Sequence, residues 1–248
     1  MTKAWVYTCA IYGAVFFAAP SPGAAQHVHD ETASSMSAAD MKAMAAHMEM
    51  TPHRSPTRAD SIRAAKIVSE LRTGIAKYRD VRVAVEDGFK QFAPQIKNQP
   101  VYHFTRAASA IANAFTFNAA RPTSLLYKKD GAGNLVLIGA MYTAPRTLSA
   151  EKLDERVPLG IAQWHKHVNW CLPPKGDEEG WLEKRNGRPV FGPLGVSTRE
   201  ECDAAGGRFQ EEVFGWMVHA NVFASDDPRI IWGDEHMMSG REMLDARR

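Results

Sequence analysis

Four histidines carry the most specific chemistry in this chain. Between residues 161 and 171, Gln163, His165, His167 and Asn169 occupy alternate positions, with Ala162, Trp164, Lys166, Val168 and Trp170 between them. In an extended strand alternate side chains share a face. The first set is therefore expected on a polar face, and the second, apart from Lys166, on an apolar one. Two imidazoles one residue apart start about 7 Å from each other. They can converge on one ion at about 2.0–2.1 Å from each nitrogen. A second segment repeats the pattern, with Gly215, Met217, His219 and Asn221 alternating with Phe214, Trp216, Val218, Ala220 and Val222. If the two strands pair or pack with these faces together, three imidazoles and two carboxamides meet. His165, His167 and His219 are thus the expected metal set, with His103, between Tyr102 and Phe104, as a fourth candidate. The competing interpretation is a solvated polar face, or, for His103, a core imidazole bonded to backbone.

The second source of metal chemistry is the segment 26–57. It holds His27, His29, Met36, Met41, Met44, His47, Met48, Met50 and His53 among few large apolar residues. Thioethers are soft ligands that select Cu(I), and imidazole suits copper and zinc. Residues 37–50 are compatible with a short helix formed on binding, which would put Met41, Met44 and Met48 on one face with His47 beside them. Met41, Met44, His47, Met48 and Met50 are the expected capture residues. A segment of this composition cannot bury enough surface to fold alone. It is expected to be a flexible leader, either metal-gathering or a spacer, and dispensable for folding.

Ahead of it, Lys3 precedes a largely apolar stretch to Ala19, then Pro20, Pro22 and Gly23-Ala24-Ala25. This is the pattern of a signal peptide cleaved after Ala25. The apolar run is short for a membrane span of about 20 residues. A periplasmic or secreted location follows as an expectation, and with it an oxidising compartment in which Cys171 and Cys202 pair once Cys9 is removed. The loop between them is rich in Pro, Gly and charge. A bridge closing about 30 residues would stabilise it by roughly 3–4 kcal/mol in the chain-entropy model.

The elements that must position these residues are legible from periodicity. Ala64, Ile67, Leu71, Ile75 and Tyr78 recur at helical spacing, giving a helix over 58–87 capped by Thr57 or Asp60. Asp80 marks a potential break and Gly88 suits the C-terminal turn. A shorter helix is expected over 106–117, and a helical turn over 149–156. Strands are expected over 124–129 and 134–143, around the hairpin signal Asp130-Gly131-Ala132-Gly133, and over 160–172 and 212–223, with 101–105 as a weaker fifth. The expected fold is α+β: N-terminal helices followed by a curved, mainly antiparallel sheet, in a single globular domain over 58–248.

Composition narrows the function. In 248 residues the formal charge is +2, with both signs interspersed, which excludes the basic stripe of a nucleic-acid binder. No His-Glu-x-x-His, Gly-x-Ser-x-Gly, Cys-x-x-Cys or phosphate loop is present. Several short segments resemble an uncharacterised family of secreted bacterial proteins with a domain of unknown function. They are Tyr102-His103-Phe104, Pro122-Thr123-Ser124-Leu125-Leu126-Tyr127, the segment from Gln163 to Cys171, and Trp216-Met217-Val218-His219-Ala220-Asn221, together with residues 77–81 and 84–89. The resemblance spans roughly 60–235 and implies one folding unit, with no activity attached. The expected function is an exported metal-binding protein, copper favoured and zinc the alternative. Two rivals are a metal-dependent enzyme on the same histidines and a non-catalytic module binding a small polar ligand or a cell-envelope partner.

Overall fold

The computed structural model describes residues 45–233. The first helix, α1 (Arg58–Ile75), is set by its cap: Thr57 Oγ1 accepts from Asp60 N, and Asp60 Oδ2 accepts from Thr57 N in return. Its inward stripe, Ala64, Ile67, Val68, Leu71 and Ile75, is buried. The expected single helix over 58–87 is instead three pieces. A 3₁₀ turn (Ala76–Arg79) follows α1, and Asp80, in extended conformation, caps a new helix α2 (Val81–Glu86) by accepting from Arg82 N. An Asp side chain competes for backbone N–H groups, so it starts a helix more readily than it continues one. The remaining helices are α3 (Ala107–Phe115), α4 (Ala150–Arg156), α5 (Arg199–Ala204) and α6 (Pro228–Ile231). None of the described helices is long and apolar enough to cross a membrane.

Nine strands are described: β1 (Met48–Met50), β2 (Lys90–Gln91), β3 (Tyr102–Thr105), β4 (Ser124–Lys129), β5 (Leu135–Ala144), β6 (His165–Leu172), β7 (Lys184–Arg185), β8 (Arg188–Pro189) and β9 (Arg208–Ala220). Seven form one sheet in the order β1-β6-β9-β5-β4-β3-β2, with every neighbouring pair antiparallel. β7 and β8 make a separate small ribbon. The fold is therefore α+β with a mainly antiparallel sheet. Helices and strands interleave: β1 precedes α1, while β2 and β3 lie between α2 and α3.

The two faces of the sheet differ. Phe104, Leu125, Tyr127, Ala140, Tyr142, Trp164, Trp216 and Val218 join the α1 stripe in the main core. Two buried tyrosines anchor it, Tyr127 OH donating to Tyr78 O and Tyr142 OH to Ala119 O. Burial pushes both phenols well above their ordinary pKa, so both remain donors. The alternate residues, including His103, Leu126, Met141, His165, Met217 and His219, lie on the opposite face.

Residues 45–57, expected to belong to a flexible leader, are part of the fold. β1 pairs with β6, so Met48 is in a strand and not on a helical face with Met41 and Met44, which lie outside the described residues, as do residues 1–25. His47 is fully buried, its Nδ1 3.3 Å from Val168 O and its Nε2 3.1 Å from Gly195 O. Thr51 Oγ1 accepts from Trp164 N. Arg54 binds Asp60 at 2.6 Å and Asp154 at 2.7 Å. Backbone pairing with β6, rather than side-chain hydrophobicity, supplies the stabilisation that the composition of 26–57 lacks.

Cys171 and Cys202 are joined in a disulfide. The loop between them carries more core than its composition indicates: Val190 and Phe191 pack on the bridge, with Val196, Ala205 and Phe209 around them.

Candidate metal centre

β6 and β9 bring the expected histidines together. His165 pairs with Met217, two residues before His219. The His165 and His219 rings are 5.2 Å apart between centroids, His165 and His167 5.5 Å, and His219 and His103 5.7 Å. The four rings thus form a connected series, 103–219–165–167, across β3, β9 and β6. His165 is 2% exposed and His219 7%, so water does not solvate them freely, while His103 and His167 are half-buried. Among the described residues, no group of three or more His, Cys, Asp or Glu side chains is placed to hold a metal ion as the rings stand.

A local irregularity tunes the arrangement. The β6–β9 register shifts between His165 and His167, which face Met217 and Val213. Between these pairs β9 has three residues, Phe214, Gly215 and Trp216, where β6 has one, Lys166, an excess of two. Phe214 has φ +69°, in the left-handed region, where a bulky side chain is strained. At Gly215 a Cβ would lie 2.1 Å from Ala144 O, so only glycine lets the bulge sit against β5. Such distortions re-aim side chains near functional sites.

The carboxamides do not join the imidazoles. Gln163 Nε2 donates to Thr51 O at 2.7 Å and Asn169 Nδ2 to Ala46 O at 3.2 Å, so both tie residues 46–51 to β6. Asn221 Nδ2 donates to Gly233 O at 3.2 Å. Nor does Trp170 lie opposite His167 as strict alternation requires: their rings are 4.9 Å apart. Asn169, at φ +56°, breaks the two-residue period and turns Trp170 to the histidine side. From there Trp170, Phe214 and Phe92 follow one another at 6.3 and 5.7 Å, ending in two partly exposed rings.

Lys166 points the other way, over the Trp216 ring, and binds Glu212 at 3.0 Å and Glu49 at 3.2 Å. Burial pulls its pKa down, but the two carboxylates outweigh burial and hold the ammonium above its ordinary value. It stays charged and away from the imidazoles. Of the leader residues expected to capture metal, His47 lies between two backbone carbonyls, whereas Met48 and Met50 lie opposite His167 and His165. A cavity of about 400 Å³ lies elsewhere, between Tyr78, Asp87, Phe89 and Arg106. Asp87 there is already bound by Lys77 and Tyr78, and the cavity lining contains no histidine.

No family model matches the chain, and no curated protein or solved structure matches it either.

Proposed function

We propose that the chain is an exported metal-binding protein whose ion is held by His165, His167 and His219, with His103 completing the set, and that copper is favoured over zinc. One observation carries the reading: the imidazoles are strung at 5.2–5.7 Å on one sheet face, with two of them buried. An ion about 2.0–2.1 Å from each nitrogen lies about 3.2 Å from each ring centroid, so two ligating rings at a tetrahedral angle are about 5.2 Å apart, and at about 125° about 5.7 Å. Each of these three spacings fits a pair of rings sharing an ion. Among the described residues no group of three or more His, Cys, Asp or Glu side chains is placed to hold an ion as it stands, so binding on this reading requires the side chains to rearrange. Strand pairing fixes the backbone and Cβ positions, whereas rotation about the two side-chain torsions, the outer one broad, sets where the rings and their nitrogens lie. Export rests on the pattern of residues 1–25, and a mature N-terminus at Gln26 is its test.

The deciding experiment titrates Cu and Zn into wild type and into the His165→Ala/His219→Ala variant of the full chain. The variant is expected to lose the tightest equivalent of both. Unchanged stoichiometry and affinity in a folded variant would overturn the reading and leave a hydrogen-bonded polar face.

A metal-dependent enzyme is the second reading. The strained Phe214 beside the centre favours it, since such strain concentrates at active sites. An exchangeable water on the bound metal would separate an enzyme from a carrier.

A further inference from the structure

We infer that the metal taken here is cuprous, and that Met48, Met50 and Met217 supply thioether ligands beside the imidazoles. This rests on the imidazole site proposed above and names the oxidation state and the remaining donors. In a paired sheet, directly opposed residues point to the same face, with Cβ atoms about 4.5–5.5 Å apart. His165 is opposed by Met50 on one side and Met217 on the other. His167 is opposed by Met48 and Val213, and His219 by Met141. Four of these five pairing positions are methionine, in a chain with 11 methionines among 248 residues. The four come from three separate strands, so neither one amphipathic segment nor one biased stretch of sequence accounts for them.

Soft thioethers select Cu(I), whereas Zn(II) is satisfied by imidazole alone. The mixed face therefore discriminates between the two ions. It also assigns β1 a role: the segment expected to be a separate metal-gathering leader lays Met48 and Met50 across the β6 histidines, making one site from what the sequence presents as two. The simpler use of these side chains is packing. Met141 and Met217 do contact Leu126, Val101 and Ile138 in a small apolar cluster. Met→Leu substitution separates the two roles, because it conserves volume and apolarity while removing sulfur.

The test uses the full chain and an anaerobic competition titration of Cu(I) against a chromophoric Cu(I) chelator, with Zn(II) titrated in parallel. Three variants are compared with wild type: Met48→Leu/Met50→Leu/Met217→Leu, His165→Ala/His219→Ala, and Met36→Leu/Met41→Leu/Met44→Leu. The first should lose Cu(I) affinity by at least the roughly 10–100-fold that even an outer-shell partner contributes, and should keep its Zn(II) affinity, which also certifies its fold. The third should bind Cu(I) as wild type does. If the first variant retains Cu(I) affinity, or the third accounts for the loss, the thioether assignment is wrong while the imidazole site stands. If the histidine variant changes neither metal, the site itself is wrong. Should the first variant lose both metals, Met217→Leu alone and Met48→Leu/Met50→Leu are titrated. Retention of Cu(I) affinity in both would overturn the assignment.

Discussion

Replacing His47 by Ala tests whether the end of the leader is structural. The imidazole is fully buried, between the carbonyls of Val168 and Gly195. It therefore joins β6 to the disulfide loop. A neutral imidazole has one N–H and satisfies one of these carbonyls at a time. Removing it strands a buried acceptor, costing about 1–2 kcal/mol. The vacated volume adds a similar amount, about 1–2 kcal/mol, because the surroundings relax only in part. The sum is about 2–4 kcal/mol, which for a domain of this size lowers Tm by roughly 5–15 °C. Urea and thermal melts of apo protein measure it. His53→Ala is the control, since His53 is exposed and an exposed substitution stays within about 0.5 kcal/mol. If the two variants melt together, residues 45–57 are a dispensable leader after all, and the placement of β1 against β6 is wrong.

Further expectations follow from other contacts. Trp164 is fully buried in the main core and faces away from the imidazoles, so Trp164→Ala should destabilise by about 3–5 kcal/mol; a metal-binding loss in denaturant-resistant protein would contradict that separation. Cys202→Ala should cost about 3–4 kcal/mol, given the 31-residue separation of the bridge, and limited proteolysis should cut within 173–198 before it cuts the sheet. Asp60 has its pKa held well below the ordinary 3.8, first by Arg54 and then by the N–H and hydroxyl of Thr57. A depressed carboxylate pKa gives stability that is present above the unfolded value and lost as pH falls through the folded one. The stability gap between wild type and Asp60→Asn should therefore be full at pH 7 and shrink as pH falls from about 4 towards 2. A gap that is constant with pH would remove the ion pair from the explanation.

Period-two alternation made His165, Met217 and His219 legible as residues of one face, and helical periodicity did the same for Ala64, Ile67, Leu71 and Ile75. Both signals are local, and the structure uses them locally. What escaped depended on partners far along the chain. Met48–Met50 has no strand signature of its own; it is a strand because the edge of β6 offers backbone groups to pair with. Trp170 changed sides because one residue, Asn169, takes a left-handed conformation, and asparagine tolerates this without announcing it. Phe214 is harder still: nothing in a run of alternating apolar residues marks a phenylalanine as the strained residue of a bulge. The destinations of Gln163, Asn169 and Asn221 were misread because a carboxamide on a polar strand face fits a ligand and a neighbouring carbonyl equally well. Their carbonyl partners are set by register, which periodicity does not contain.

The sheet ends in two very short strands, β1 with three residues and β2 with two. An open strand edge is a template for another chain, and long, flat, uncovered edges lead to aggregation. β6 has eight residues, His165 and His167 followed by Val168, Trp170 and Cys171 among them, and without β1 its outer edge is uncovered. A protease cut between Met50 and Thr57 would thus do more than shorten the chain. Once the clipped segment diffused away, a covered sheet edge would become an adhesive one. Self-association, visible as a concentration-dependent shift in sedimentation, would be the first sign of clipping, ahead of any loss of secondary structure.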